Sequence, residues 1–115
     1  MLERLVEQLR ALDVTDVAVH LPDVACAADV ADACVRAGKR VVALDPQARV
    51  VVTADGVESE GVVRCLKDEV DAVATRAHLV FVVRLVGDAP LAATMDAYLD
   101  VAMTPGRDIW VDAAR

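Results

Sequence analysis

A handful of side chains in this sequence could do chemistry if folding gathered them: the imidazole of His20, the carboxylates of Asp23, Asp45, Asp88 and Asp112, and the guanidinium of Arg84 beside Gly87. Each ends or closely follows an apolar run, as in Val17-Ala18-Val19-His20-Leu21-Pro22-Asp23 and Val83-Arg84-Leu85-Val86-Gly87-Asp88. In a sheet with parallel strands, the loops at the carboxyl ends line the ligand crevice. All seven residues are therefore expected on one rim. An imidazole can accept a hydrogen bond or exchange a proton near neutral pH, and a guanidinium offers a fork to phosphate or carboxylate. The combination suits a small polar ligand such as a sugar, a nucleoside or a phosphate compound. Each residue also has a plain structural use. Asp23 and Asp88 suit helix N-caps, Asp45 suits a turn, and Arg84 can reach the rim or pair with an acid.

Several chemistries have no footing. Leu21 to Asp29 stands where a dinucleotide-binding chain would carry Gly-x-Gly-x-x-Gly, and neither a phosphate-binding Lys motif nor a Gly-x-Ser-x-Gly elbow occurs. His20 and His78 fall at opposite ends of their strands, and neither has a second ligand at helical spacing, so no metal and no cofactor is expected. The cysteines number three, with no Cys-x-x-Cys pair. On one predicted helix, Cys26 and Cys34 lie about 12 Å apart along the axis, too far for a disulfide. Cys26 falls in that helix's first turn, where the macrodipole could activate a thiol, but a small buried hydrophobe is the simpler reading.

The elements that must position these residues follow from periodicity. His78 to Gly87, HLVFVVRLVG, is the longest unbroken apolar stretch and reads as the central strand of a sheet with parallel members, buried on both faces. Side-chain alternation puts Leu79, Phe81, Val83 and Leu85 on one face and Val80, Val82, Arg84 and Val86 on the other. Ahead of it, Leu2, Leu5, Val6, Leu9 and Leu12 mark an amphipathic helix. Val17–Leu21 reads as a strand, Val24–Ala37 as a helix capped by Asp23 and ended by Gly38, and Arg40–Leu44 as a second strand. Asp45-Pro46-Gln47-Ala48 spells a turn, and RVVVT after it is expected to return as the antiparallel partner of Arg40–Leu44, the alternative being that the two runs are one strand and a buried connection. Val62, Val63, Leu66, Val70 and Val73 predict a helix from about Ser59 to Ala77 with Arg64, Lys67, Asp68, Asp71 and Arg76 on a solvated face. A helix with Asp88 as cap and Leu91, Met95, Leu99 and Met103 on its buried side comes next, and Asp108–Asp112 forms the last strand. The expected fold is one α/β domain over residues 1–115. It is a three-layer α/β/α sandwich on a mostly parallel, Rossmann-like or flavodoxin-like sheet of about five strands with one antiparallel hairpin.

Composition narrows the partners. The 115 residues are 57% hydrophobic, dominated by 23 Val and 21 Ala with one each of Phe, Trp and Tyr. A small domain with so much apolar material is expected to cover some of it against another copy of itself, so a homo-oligomer is expected. The net charge of -7, with no Lys/Arg cluster, disfavours nucleic acid and anionic membranes. The amino-terminal helix is charged and no apolar run nears the roughly 18 residues that span a bilayer, from which a cytoplasmic protein is expected.

EVDAVATRAHLVFVVRLVGDAPLAATMDAYLDVAM followed by GRDIWV resembles the carboxyl half of nucleoside 2-deoxyribosyltransferases. The resemblance implies a carboxylate nucleophile near Asp96 and an N-glycosidase-type activity. The chain departs from that family at Val70 and His78, where acids are expected, at Leu91-Ala92-Ala93 before the nucleophile, and at VHLPD in place of the amino-terminal glycine-proline loop. A non-catalytic binding or regulatory domain is the first expectation and such an enzyme the second.

Overall fold

The computed structural model describes residues 2–22, 24–59, 62–85 and 101–112. In chain order the elements are α1 (Glu3–Arg10), β1 (Asp16–Val19), α2 (Ala27–Arg36), β2 (Arg40–Val42), β3 (Val50–Ala54), β4 (Val57–Ser59), β5 (Val62–Arg64), α3 (Leu66–Val73), β6 (Leu79–Arg84) and β7 (Asp108–Asp112). Five strands form one parallel sheet in the order β2-β1-β3-β6-β7, and β4 and β5 form a separate antiparallel pair. Helices α1 and α2 cover one face through Leu5, Val6, Leu9, Val30, Ala33 and Cys34, meeting Val17, Val52, Phe81 and Val83. Helix α3 and its C-cap cover the other through Val70 and Ala74, meeting Ala18, Val51, Val80 and Val82. The α/β/α sandwich expected from the sequence is the fold observed.

Strand β6 alternates as the sequence implies, and both its edges are paired, to β3 and β7. The middle position belongs to β3, whose five residues are all buried. This placement corrects the expected β2–β3 hairpin. Both strands pair with β1, from opposite sides and in parallel. The turn at Asp45 is real: its carboxylate accepts from the Gln47 amide at 2.6 Å and its carbonyl from the Ala48 amide at 3.1 Å. That turn redirects residues 43–49 across β1, because a strand apolar on both faces needs a neighbour on each edge and cover on each side.

The long helix expected from Ser59 to Ala77 is also corrected. Val62 and Val63 belong to β5, in register with Ser59 and Glu58, and α3 starts at Leu66. Three β-branched valines and a Gly-containing two-residue gap fit a hairpin better than a helix. Helix α2 begins at Ala27 rather than Val24, with Cys26 at its N-cap position and no side-chain cap. The Asp23 cap lies outside the described residues. The other end is as expected: Gly38 has φ 78°, and the amides of Gly38 and Lys39 donate to Val35 and Cys34 carbonyls at 2.9 Å each, closing a left-handed cap. Most of the helix expected before Met103 lies outside the described residues, and residues 101–104 carry no regular structure.

Lys67 is not on a solvated face. It is fully buried, donating to Asp71 at 2.7 Å and the Ala102 carbonyl at 2.7 Å and lying 2.9 Å from Asp108. Arg107 completes the network, reaching Asp71 and Asp108 at 2.6 Å each. Burial works to raise the Asp108 carboxyl, but hydrogen bonds from Arg107, the Thr104 amide and Lys67 outweigh it and hold it below the usual carboxylate range. Two cations and two anions thus tie α3 to the entry of β7. Lys67→Ala strands two acids with Arg107 alone and should lower the unfolding free energy by about 3 kcal/mol. Arg40→Ala, at the exposed Arg40–Asp16 pair, should cost less than about 1 kcal/mol. Urea denaturation of both variants measures the contrast.

Candidate functional site

The order β2-β1-β3-β6-β7 fixes a topological switch point. The chain leaves β1 toward β2 on one side and leaves β3 toward β6 on the other, so the winding direction reverses between the carboxyl ends of β1 and β3, the position at which ligands of such sheets bind. His20 is the first residue past β1. Its backbone amide donates to the Val52 carbonyl at 2.9 Å, and the buried Thr53 hydroxyl donates to the His20 carbonyl at 2.8 Å. The imidazole is thereby fixed at its root. Alternation from Ala18 turns it to the α3 face, where Nε2 meets Glu69 Oε1 at 2.8 Å.

Glu69 is held in turn by Arg64, whose Nε and terminal nitrogen donate to its two oxygens at 2.5 and 2.7 Å. The Arg64 hydrogen bond holds the Glu69 carboxyl below the usual range against the opposing effect of burial, and the His20 contact adds to the lowering. An ionised carboxylate only accepts, so the proton of the neutral imidazole sits on Nε2, and Nδ1 carries the lone pair. Nδ1 makes no hydrogen bond among the described residues. The His20 side chain is 20% exposed, enough for a small molecule to reach it.

On the next strand, Asp55 follows β3 and is buried at 2% exposure. Its Oδ1 accepts from the Gly56 amide at 2.8 Å and the Leu85 amide at 3.0 Å, while its own amide donates to the Val83 carbonyl at 3.0 Å. Asp55 clamps the carboxyl ends of β3 and β6 together. Arg84 ends β6 with its guanidinium 4.1 Å from the Trp110 ring centroid, a cation–π contact that anchors it on the α3 face. Strand register puts the Arg84 backbone two residues beyond the level of His20 and two strands across, a Cα separation of roughly 12 Å.

Of the residues expected from sequence, His20 and Arg84 both lie at the carboxyl ends of their strands on the α3 face, but two strands apart, with Arg84 turned onto Trp110 of β7. Asp112 lies opposite Arg84 in the backbone register of β7. Asp23, Gly87, Asp88 and Asp96 lie outside the described residues. Asp45 is a correction: it sits in the crossover, lining a cleft of about 410 Å³ with Asp13, Thr15, Asp16 and Arg49 toward the amino ends of the strands. That cleft has neither imidazole nor thiol among its lining residues, and its acids Asp16 and Asp45 are already engaged by Arg40 and the Gln47 amide.

Sequence reasoning missed Arg64, Glu69 and Asp55. Asp55 was findable, since Ala-Asp-Gly follows an apolar run as His20 does. Glu69 meets His20 across 49 positions, a pairing only the fold defines. Burial pushes the Cys26 thiol up and the Cys34 thiol up to about 11, so neither is activated. In comparisons with known proteins, no family model matches the chain and no curated protein matches it.

Asp55→Ala should destabilise by about 1–3 kcal/mol, because two amides at the crevice floor lose their acceptor. Asp55→Asn keeps a carbonyl oxygen in place and should recover most of it. Hydrogen exchange at the Leu85 and Gly56 amides should accelerate in the alanine variant alone.

Proposed function

We propose that this chain is a non-catalytic binding or regulatory domain that takes a small polar ligand at the β1/β3 switch point. The observation that carries the reading is the anchored His20, whose Nδ1 has no hydrogen-bond partner among the described residues and which follows β1 at the switch point where ligands of such sheets bind. A sugar, nucleoside or sugar phosphate reaching from His20 along the strand ends toward β6 would meet an acceptor at one end and the Arg84 guanidinium on the same face of the sheet. A thermal-shift panel of sugars, nucleosides and their phosphates should find one class that stabilises the protein, by about 2.7 kcal/mol at a hundredfold excess over Kd. His20→Ala should abolish the shift and Arg84→Ala should weaken the phosphates selectively; a panel in which nothing stabilises the protein counts against the reading.

We infer in addition that copies of the chain associate through the β2 edge. Val35 on α2 is 65% exposed and Val41 on β2 is 39% exposed, on neighbouring elements beside a strand with one unpaired side. Sedimentation should give a species heavier than the 12.2 kDa chain, and Val35→Glu should shift it toward monomer. A single monomeric species at every concentration rules the association out.

A further inference from the structure

We propose that His20 is a phosphoryl-acceptor residue, taking a phosphoryl group on Nδ1 from a small acyl-phosphate or phosphoramidate donor. The inference goes beyond ligand binding and depends only on how the ring is held. Three features point to it. Glu69 fixes the tautomer with the proton on Nε2, leaving the Nδ1 lone pair as the nucleophile. Arg64 grips both oxygens of Glu69 and keeps that carboxylate charged. The His20 side chain is 20% exposed, so a small donor can approach a ring whose orientation Glu69 holds.

In the step, the Nδ1 lone pair attacks phosphorus and an N–P bond forms. The P–O bond to the acyl oxygen breaks, and the carboxylate departs with the electron pair; from phosphoramidate, the P–N bond breaks and ammonia departs. Nothing is oxidised or reduced. The imidazole keeps its Nε2 proton and becomes a cation, which the adjacent Glu69 carboxylate stabilises. Glu69 is a positioning residue in this scheme, since it acts through the ring.

His78 provides an internal control. It is exposed, precedes β6 at the opposite end of the sheet, and its ring makes no hydrogen bond among the described residues. Accessibility alone would favour labelling there. A preference for His20 would therefore report the Glu69 contact rather than exposure.

The full chain is incubated with phosphoramidate, and separately with acetyl phosphate, near neutral pH, with N-acetylhistidine in the same tube. Intact mass, fragment mapping and phosphorus–proton NMR then give stoichiometry, site and linkage. One phosphoryl group on His20 through Nδ1 is expected, with His78 labelled about tenfold more slowly, and Glu69→Gln should slow labelling of His20 by about tenfold. In urea, the two histidines should label alike. Labelling of His78 as fast as His20, linkage through Nε2 of His20, or an unlabelled chain beside labelled N-acetylhistidine each overturns the proposal.

Discussion

The constraint from which the architecture follows is the burial of β3. All five of its residues, Val50 to Ala54, are buried, so the strand must have a paired neighbour on each edge and cover on each face. Those requirements place β1 and β6 beside it, α1 and α2 above it and α3 below it. They also force residues 43–49 to cross β1 instead of folding back as a hairpin. The crossover in turn makes β1 and β3 the strands between which the winding direction reverses. The switch point beside His20 is thus a consequence of where the most deeply buried strand can sit.

Some of this was legible in the sequence, and the reasons differ by element. The apolar run before Gly87 identified a doubly covered strand because only such a strand lacks alternation of polarity, and β6 keeps the predicted facing of Phe81 and Val82. Gly38 marked the end of α2 because a left-handed cap has few other candidates. The hairpin expected at Asp45-Pro46 failed although its turn chemistry was right: local signals define a turn but not which strand the chain then joins. Val62 and Val63 fitted helical spacing with Leu66 and Val70 as well as they fitted a strand, and short apolar runs carry that ambiguity.

Lys67 shows a different limit. A lysine among Asp68, Asp71 and Arg76 reads as part of a solvated face, and most lysines are. What buries it is the arrival of Asp108 and the Ala102 carbonyl from the far end of the chain, which supply partners that no local window contains. The candidate site has the same character. His20 was visible by its place after a strand, whereas Glu69, which sets its tautomer, comes from a helix 49 residues later. Position along a strand is a local property, but the electrostatic setting of a side chain is not.

The distribution of cations follows from their scarcity. Twelve Lys and Arg face nineteen Asp and Glu, and among the described residues most of the cations have a structural assignment. Lys39 donates to the carbonyls of Leu12 and Val14 at the end of α1, Lys67 and Arg107 hold two buried or half-buried acids, and Arg64 holds Glu69. Arg36 and Arg40 are paired with Glu3 and Asp16, and Arg84 lies on Trp110. A cation committed to a buried carboxylate cannot also turn outward to a phosphate backbone without leaving that acid unpaired, at a cost of several kcal/mol. Among the described residues Lys67 is the one fully buried cation and is engaged by Asp71 and Asp108, while Arg36, Arg40 and Arg64 stay exposed and each faces a carboxylate that offsets its charge, so these paired cations do not add up to a positive field for a polyanion.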